Sequence, residues 1–181
     1  MRIELNKCIN VLKKGGVILY PTDTIWGIGC DAKNSEAIAK IYNIKKRNDS
    51  KALISLVANK KQLKEITGSI PKIDILSKPT TVIYPNAKGI SHKLLALDGS
   101  AAIRITQDYF CQQLIRKLGK AIVSTSANIS GIANPKSFSE ISQDILGSVD
   151  YIVNLRQDEL MIKPSTILKI NIDGTIIKIR K

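Results

Sequence analysis

Hydroxyls, carboxylates and cations at a few places carry whatever chemistry this sequence can do. Pro21-Thr22-Asp23-Thr24-Ile25-Trp26-Gly27-Ile28-Gly29-Cys30-Asp31-Ala32 sets two threonine hydroxyls around a carboxylate, with two glycines just behind. Glycines so placed either supply an unusual φ or let the backbone pass close to a ligand. The plainer alternative is a turn around a buried tryptophan. Lys45, Arg47 and Lys51 form a cationic cluster. On a loop these cations reach one polyanion; at a helix C-terminus they are a favoured, solvated charge run. Ser124-Thr125-Ser126-Ala127-Asn128, ahead of Ser130-Gly131, puts short hydroxyls and an amide behind an apolar run. Such groups hold phosphate or carboxylate oxygens, or else only close Asx- and ST-turns. Pro164-Ser165-Thr166 and Ser100 to Arg104 repeat the pattern of hydroxyls entering strands. Arg104 lies in an apolar run, so it points either to solvent or to a paired anion.

Several chemistries are excluded. No glycine-rich loop ends in Lys-Ser or Lys-Thr, and Gly27 and Gly29 lack the third glycine of a dinucleotide fingerprint. The single histidine, His92, sits in a polar, irregular stretch and is expected on an exposed loop. Histidine-assisted nucleophilic catalysis is therefore not expected. Cys8, Cys30 and Cys111 are odd in number and widely spaced, which fits neither a zinc site nor a disulfide framework.

The elements that must position these groups fit in 181 residues, enough for one domain with a substantial core. A composition of 44% hydrophobic and 24% charged residues is that of a soluble globular chain. No apolar run approaches the roughly 20 residues of a membrane helix, and residues 1–16 do not read as a signal peptide. A cytoplasmic location is the expectation. The formal net charge of +13 attracts polyanions, or reflects a lysine-rich, solvated surface; both readings stay open.

Leu5, Cys8, Ile9 and Leu12 share one face of a helix over 4–14 that Gly15-Gly16 stops. A strand over 17–20 leads into the first motif. Asn34 or Ser35 caps a helix bearing Ala37, Ile38, Ile41 and Tyr42. A strand over 52–57 precedes a helix capped by Asn59 and closed by Gly68. Strands over 80–84 and 100–106 flank an irregular stretch, and a helix runs from Asp108 to Leu118. Residues 121–123 read as a strand, and Ser137 with Glu140 as a capping box for a helix ending near Gly147. Strands over 151–153, 165–170 and 175–179 follow, the last two joined by an Asp173-Gly174 hairpin. The pattern predicts an α/β fold with a mixed, strongly twisted parallel and antiparallel sheet.

In order along the chain, PTDTIWGIGCDA, Lys45-x-Arg47 ahead of Lys51, STSAN followed by Ser130-Gly131, and KPST together resemble the YrdC/Sua5 family. The resemblance runs through nearly the whole chain and is similar to the short type, a single YrdC-like domain over 1–181. It implies flanking helices and a twisted mixed sheet around a basic concave groove. It further implies synthesis of L-threonylcarbamoyladenylate from L-threonine, bicarbonate and ATP with Mg²⁺, releasing pyrophosphate. The product then serves threonylcarbamoyladenosine formation in tRNA through a TsaD-type transferase. Some members also bind tRNA or double-stranded RNA.

Carried over by motif, the resemblance implies threonine contacts from Thr24, Arg104, Ser124 and Ser165. It implies nucleotide contacts from Arg47, Lys51, Ser100, Ser126, Asn128, Asn134 and Arg180, with Lys45 and Arg47 stabilising developing charge. The chain departs from the pattern at Leu56, where several relatives have histidine, at Lys51 and Ala52, and at Leu76-Ser77-Lys78-Pro79. Rival readings are a non-catalytic RNA-binding module and the carbamoyl-adenylate chemistry of hydrogenase maturation factors.

Overall fold

A computed structural model of the chain describes residues 1–46 and 53–180. Helix α1 (Arg2–Lys13) forms on the expected stripe and buries Cys8, Ile9 and Leu12. Strand β1 (Ile18–Tyr20) is buried throughout. Helix α2 (Ser35–Ile44) is capped by Asn34, whose side chain accepts from the Glu36 and Ala37 N–H groups. Helix α3 (Lys60–Thr67) is capped by Asn59 and stops at Gly68, and α4 (Tyr109–Leu118) is capped by Asp108 and stops at Gly119. Each such cap satisfies N–H groups that the first helical turn cannot pair.

The remaining elements are β2 (Gly27–Gly29), β3 (Ile54–Val57), β4 (Thr80–Tyr84), β5 (Ala101–Ile105), β6 (Ile122–Ser126), a one-turn α5 (Gln143–Leu146), β7 (Tyr151–Ile152), β8 (Thr166–Ile170) and β9 (Ile176–Arg180). Among the described residues the strands form one sheet in the order β7-β1-β2-β6-β3-β5-β4-β8-β9. Pairs β1/β7, β3/β5 and β4/β8 are parallel, and the other five are antiparallel. The sheet is mixed, as the irregular alternation of strands and helices predicts.

Helices α1 and α4 pack with Ile18, Tyr20, Leu56 and Ile122 on one face of the sheet. Helices α2 and α3 pack with Leu19, Val57, Ile103 and Val123 on the other. Each fully buried Leu or Ile in these layers contributes about 1.5–3 kcal/mol. Strand alternation puts Ser124 and Ser126 on the same face as Ile122. Register puts Ile54 opposite Ser124 and Leu56 opposite Arg104. Polar groups therefore continue the α1/α4 face of the sheet.

Four local expectations change. The glycines of the first motif lie in a strand, β2, because Gly29 must pass under its neighbours. A Cβ there would stand 2.1 Å from the Val123 carbonyl oxygen and 2.8 Å from the Tyr20 ring. The hydroxyls of Ser124, Thr125 and Ser126 lie within β6 rather than after it. Ser137 and Glu140 form no capping box: Glu140 accepts from the Lys136 N–H, and a 3-10 turn over Phe138–Glu140 precedes α5. His92 is exposed, as expected, but opens a short 3-10 turn, His92–Leu94.

Candidate active site

Pro21 ends β1, and the chain turns through Thr22, Asp23 and Thr24 before entering β2. The Thr22 hydroxyl organises the turn. It donates to the Ile25 carbonyl at 2.8 Å and accepts from the Thr24 N–H at 3.0 Å. The Thr22 and Thr24 hydroxyl oxygens are also 3.0 Å apart. Trp26 is fully buried and packs against Phe138, their ring centroids 5.1 Å apart. The stretch is thus both a turn around a buried tryptophan and a wall of a polar pocket.

Asp23 reaches across the sheet to β5. Its Oδ1 accepts from Arg104 Nη2 at 3.0 Å, and its Oδ2 accepts from the Gln107 N–H at 2.9 Å. The Arg104 side chain is 3% exposed, so the alternative of a solvent-facing cation is ruled out. Its Nε is buried without a protein partner among the described residues. A buried guanidinium of this kind is tolerated because a carboxylate meets it.

The opposite wall comes from the end of the described chain. Arg180, on β9, donates through Nε and Nη2 to the Ser165 carbonyl at 3.1 and 2.9 Å. The Ser165 hydroxyl lies 2.8 Å from that of Thr81. Partial burial lowers the pKa of Arg180, and the nearby Arg104 charge lowers it further. Two guanidiniums thus share one pocket with a single carboxylate, which leaves it a positive surplus. Thr24, Gly27, Ile54, Ser124, Ser126 and Pro164 belong to the same lining. A Cβ on Gly27 would stand 3.1 Å from Ser124 Oγ, so glycine here keeps that wall open.

Chemically, the pocket can take a small anion on its guanidiniums and a polar group on its hydroxyls. It brings together Thr24, Arg104, Ser124, Ser126, Ser165 and Arg180 from five separate stretches of sequence. Ser100 is elsewhere: it is buried beside Asp98 and lines a separate depression with Pro85 and Lys169. Asn134 is exposed and outside the lining. Lys45 is 2% exposed, and its ammonium donates to the Ser126 and Asn128 carbonyls at 2.6 Å and to Asn128 Oδ1 at 3.3 Å. It therefore ties the end of α2 to the turn after β6. Arg47 and Lys51 lie outside the described residues. Leu56 is fully buried in the α1/α4 layer.

Sequence reasoning left Asp23, Thr22, Gln107 and Thr81 without roles. The flanked carboxylate of Thr22-Asp23-Thr24 was the available signal. Its partner stands 81 residues away, a distance no local pattern bridges. Among the described residues no cluster of three His, Cys, Asp or Glu side chains could hold a metal ion, and no helix is long and apolar enough to cross a membrane.

Comparisons with known proteins bear on the family and the fold. The Sua5/YciO/YrdC family model, described as telomere recombination, matches residues 10–181. A threonylcarbamoyl-AMP synthase of Idiomarina loihiensis is 35% identical over 149 residues, 78% of this chain and 80% of the relative. One of Psychromonas ingrahamii is 32% identical over 182 residues, 96% of this chain and 86% of the relative. The crystal structure of P. abyssi Sua5 complexed with L-threonine superposes with a TM-score of 0.82 at 20% identity. That match covers 97% of this chain and 53% of the Sua5 chain, so this chain spans about half of its length.

Proposed function

The chain belongs to the Sua5/YciO/YrdC family, and from that premise we propose that it is an L-threonylcarbamoyl-AMP synthase. It joins L-threonine, bicarbonate and ATP and releases pyrophosphate. The observation that carries this reading is the pairing of Arg104 and Arg180 with Thr24 and Ser124 in one pocket. Guanidiniums hold a carboxylate by charge-assisted hydrogen bonds, and hydroxyls serve the remaining polar groups of an amino acid. The similar Sua5 protein solved with L-threonine supports the same assignment.

The reaction needs no protein nucleophile. The threonine amine, once deprotonated, attacks the carbon of CO₂ with loss of a proton, or that of bicarbonate with loss of water, giving a carbamate. A carbamate oxygen attacks the α-phosphorus of ATP, and pyrophosphate leaves. Arg104 holds the carboxylate together with Arg180, which was expected among the nucleotide contacts but shares this lining, while Thr24, Ser124 and Ser165 orient the amino acid. Ser126 and Asn128, with Arg47 and Lys51, serve the nucleotide, and Ser100 and Asn134, which lie away from this lining, take no part in it. Lys45 acts by fixing Ser126 and Asn128. Positioning and charge neutralisation supply the rate in such a site. Mg²⁺ enters on the triphosphate as part of the substrate. The product passes to a TsaD-type transferase acting on tRNA, and the net charge of +13 favours RNA contact.

The test is pyrophosphate release from ATP, with L-threonine and bicarbonate each present or omitted, and mass analysis of products. Release requiring both, with the mass of threonylcarbamoyl-AMP, is expected. An absence of release alongside retained RNA binding would replace this reading with that of an RNA-binding module.

A further inference from the structure

Thr81, on β4, is fully buried and lies outside the pocket lining. Its hydroxyl stands 2.8 Å from that of Ser165, and either can donate, so the contact holds in both polarities. Ser165 is the residue just before β8, and the β4/β8 ladder starts one residue later, at Thr80 with Thr166. Two contacts hold Ser165 there. Thr81 meets its side chain, and Arg180 clamps its carbonyl through Nε at 3.1 Å and Nη2 at 2.9 Å. Residues paired across neighbouring strands share a face of the sheet. Thr81 pairs with Ile167, and a register shift in β8/β9 sets Ile167 opposite Arg180. Thr81 and Arg180 therefore stand on one face, with Ser165 as their common partner.

We propose that Thr81 is a positioning residue for the amino-acid pocket: it pins the Ser165 side chain, and the Ser165 carbonyl in turn sets where Arg180 points. The inference rests on the synthase reading and names the residue that sets its threonine-binding wall. Removing the Thr81 hydroxyl strands that of Ser165, a residue 2% exposed. A buried hydroxyl without a partner is costly, so the Ser165 side chain turns to find another. Ser165 lies ahead of the ladder, so its main chain follows, and the guanidinium clamped on its carbonyl shifts with it. A misplacement of about 1 Å is costly in a site that works by orientation.

The test is calorimetric binding of L-threonine and of ATP to the full chain, with circular dichroism to confirm folding. The wild type is compared with Thr81→Val, Thr81→Ser, Ser165→Ala and the double variant Thr81→Val/Ser165→Ala. Thr81→Val keeps the side-chain shape and is expected to weaken L-threonine roughly tenfold, the scale of one buried hydrogen bond, with ATP unchanged. Thr81→Ser, which keeps the hydroxyl, restores threonine affinity. Because Thr81 acts through Ser165, Thr81→Val adds less than about twofold once Ser165 is alanine. Wild-type threonine affinity in folded Thr81→Val, equal weakening of both ligands, or full additivity in the double variant overturns the proposal. Thr81→Ala stands in should Thr81→Val not fold; failure of both makes Thr81 a residue of the fold alone and overturns the proposal, as does a wild type that binds no threonine. Threonine-dependent pyrophosphate release by the wild type is read separately. Its presence keeps the synthase reading when the proposal fails. Its absence beside bound threonine sinks that reading, while the affinity ratios still decide the role of Thr81.

Discussion

Removing Asp23 strands a charge. Arg104 is buried and Asp23 is its carboxylate partner, so Asp23→Ala should destabilise the fold by about 3 kcal/mol. Chemical denaturation measures this, and an unchanged midpoint would contradict the pairing. At the rim, Arg180→Ala should leave stability nearly intact, because β9 is exposed along its length. It should weaken L-threonine roughly tenfold through loss of a charge-assisted contact, read as a rise in KM for threonine but not for ATP. Glu4 lies outside the pocket and sets a pH limit. Burial raises its pKa, but hydrogen bonds from Tyr151 and the Asn154 N–H, with Lys7 nearby, outweigh that and hold it below its ordinary 4.5. A carboxyl depressed in the folded state stabilises above its unfolded value and loses that contribution as pH falls through the folded value. Stability should therefore decline on acidification below about pH 4.5, and Glu4→Gln should flatten that decline in pH-dependent melting. At this scale the sequence displayed residue types well and partners poorly. Arg104 in an apolar run announced a special environment, but only the folded sheet shows that Asp23 meets it.

Elements were legible where local chemistry fixes them. Asn34, Asn59 and Asp108 cap their helices because a short polar side chain before an apolar stripe has few other uses. The Asp173-Gly174 turn likewise joins two antiparallel strands. Legibility ended where tertiary contacts overrode pattern. Gly27-Ile28-Gly29 looks like a loop, yet it is a strand squeezed between β1 and β6. Gly29→Ala should cost about 3 kcal/mol, since its Cβ would collide with the Val123 carbonyl and the backbone must shift. A melting temperature within error of the wild type would refute that packing. Lys45 looks like part of a solvated charge run, but its ammonium is enclosed by the turn after β6. Lys45→Met should therefore lower both melting temperature and turnover. A loss of turnover alone would indicate a direct charge role instead.

The whole molecule joins a mixed sheet, helices on both faces and a pocket at which several strands meet. Class and sheet character followed from the irregular order of strands and helices. Strand order did not, because pairings such as β2 with β6 and β4 with β8 join distant segments. The charge of +13 belongs to this scale too. If RNA contact is led by charge, tRNA binding should fall steeply and log-linearly with salt; binding that survives high salt would point to another mode. The pocket takes Thr24 from the turn after β1 and Arg180 from β9. One wall is therefore laid down with the first strands and the other only with β9, so the lining closes only when β9 has paired with β8.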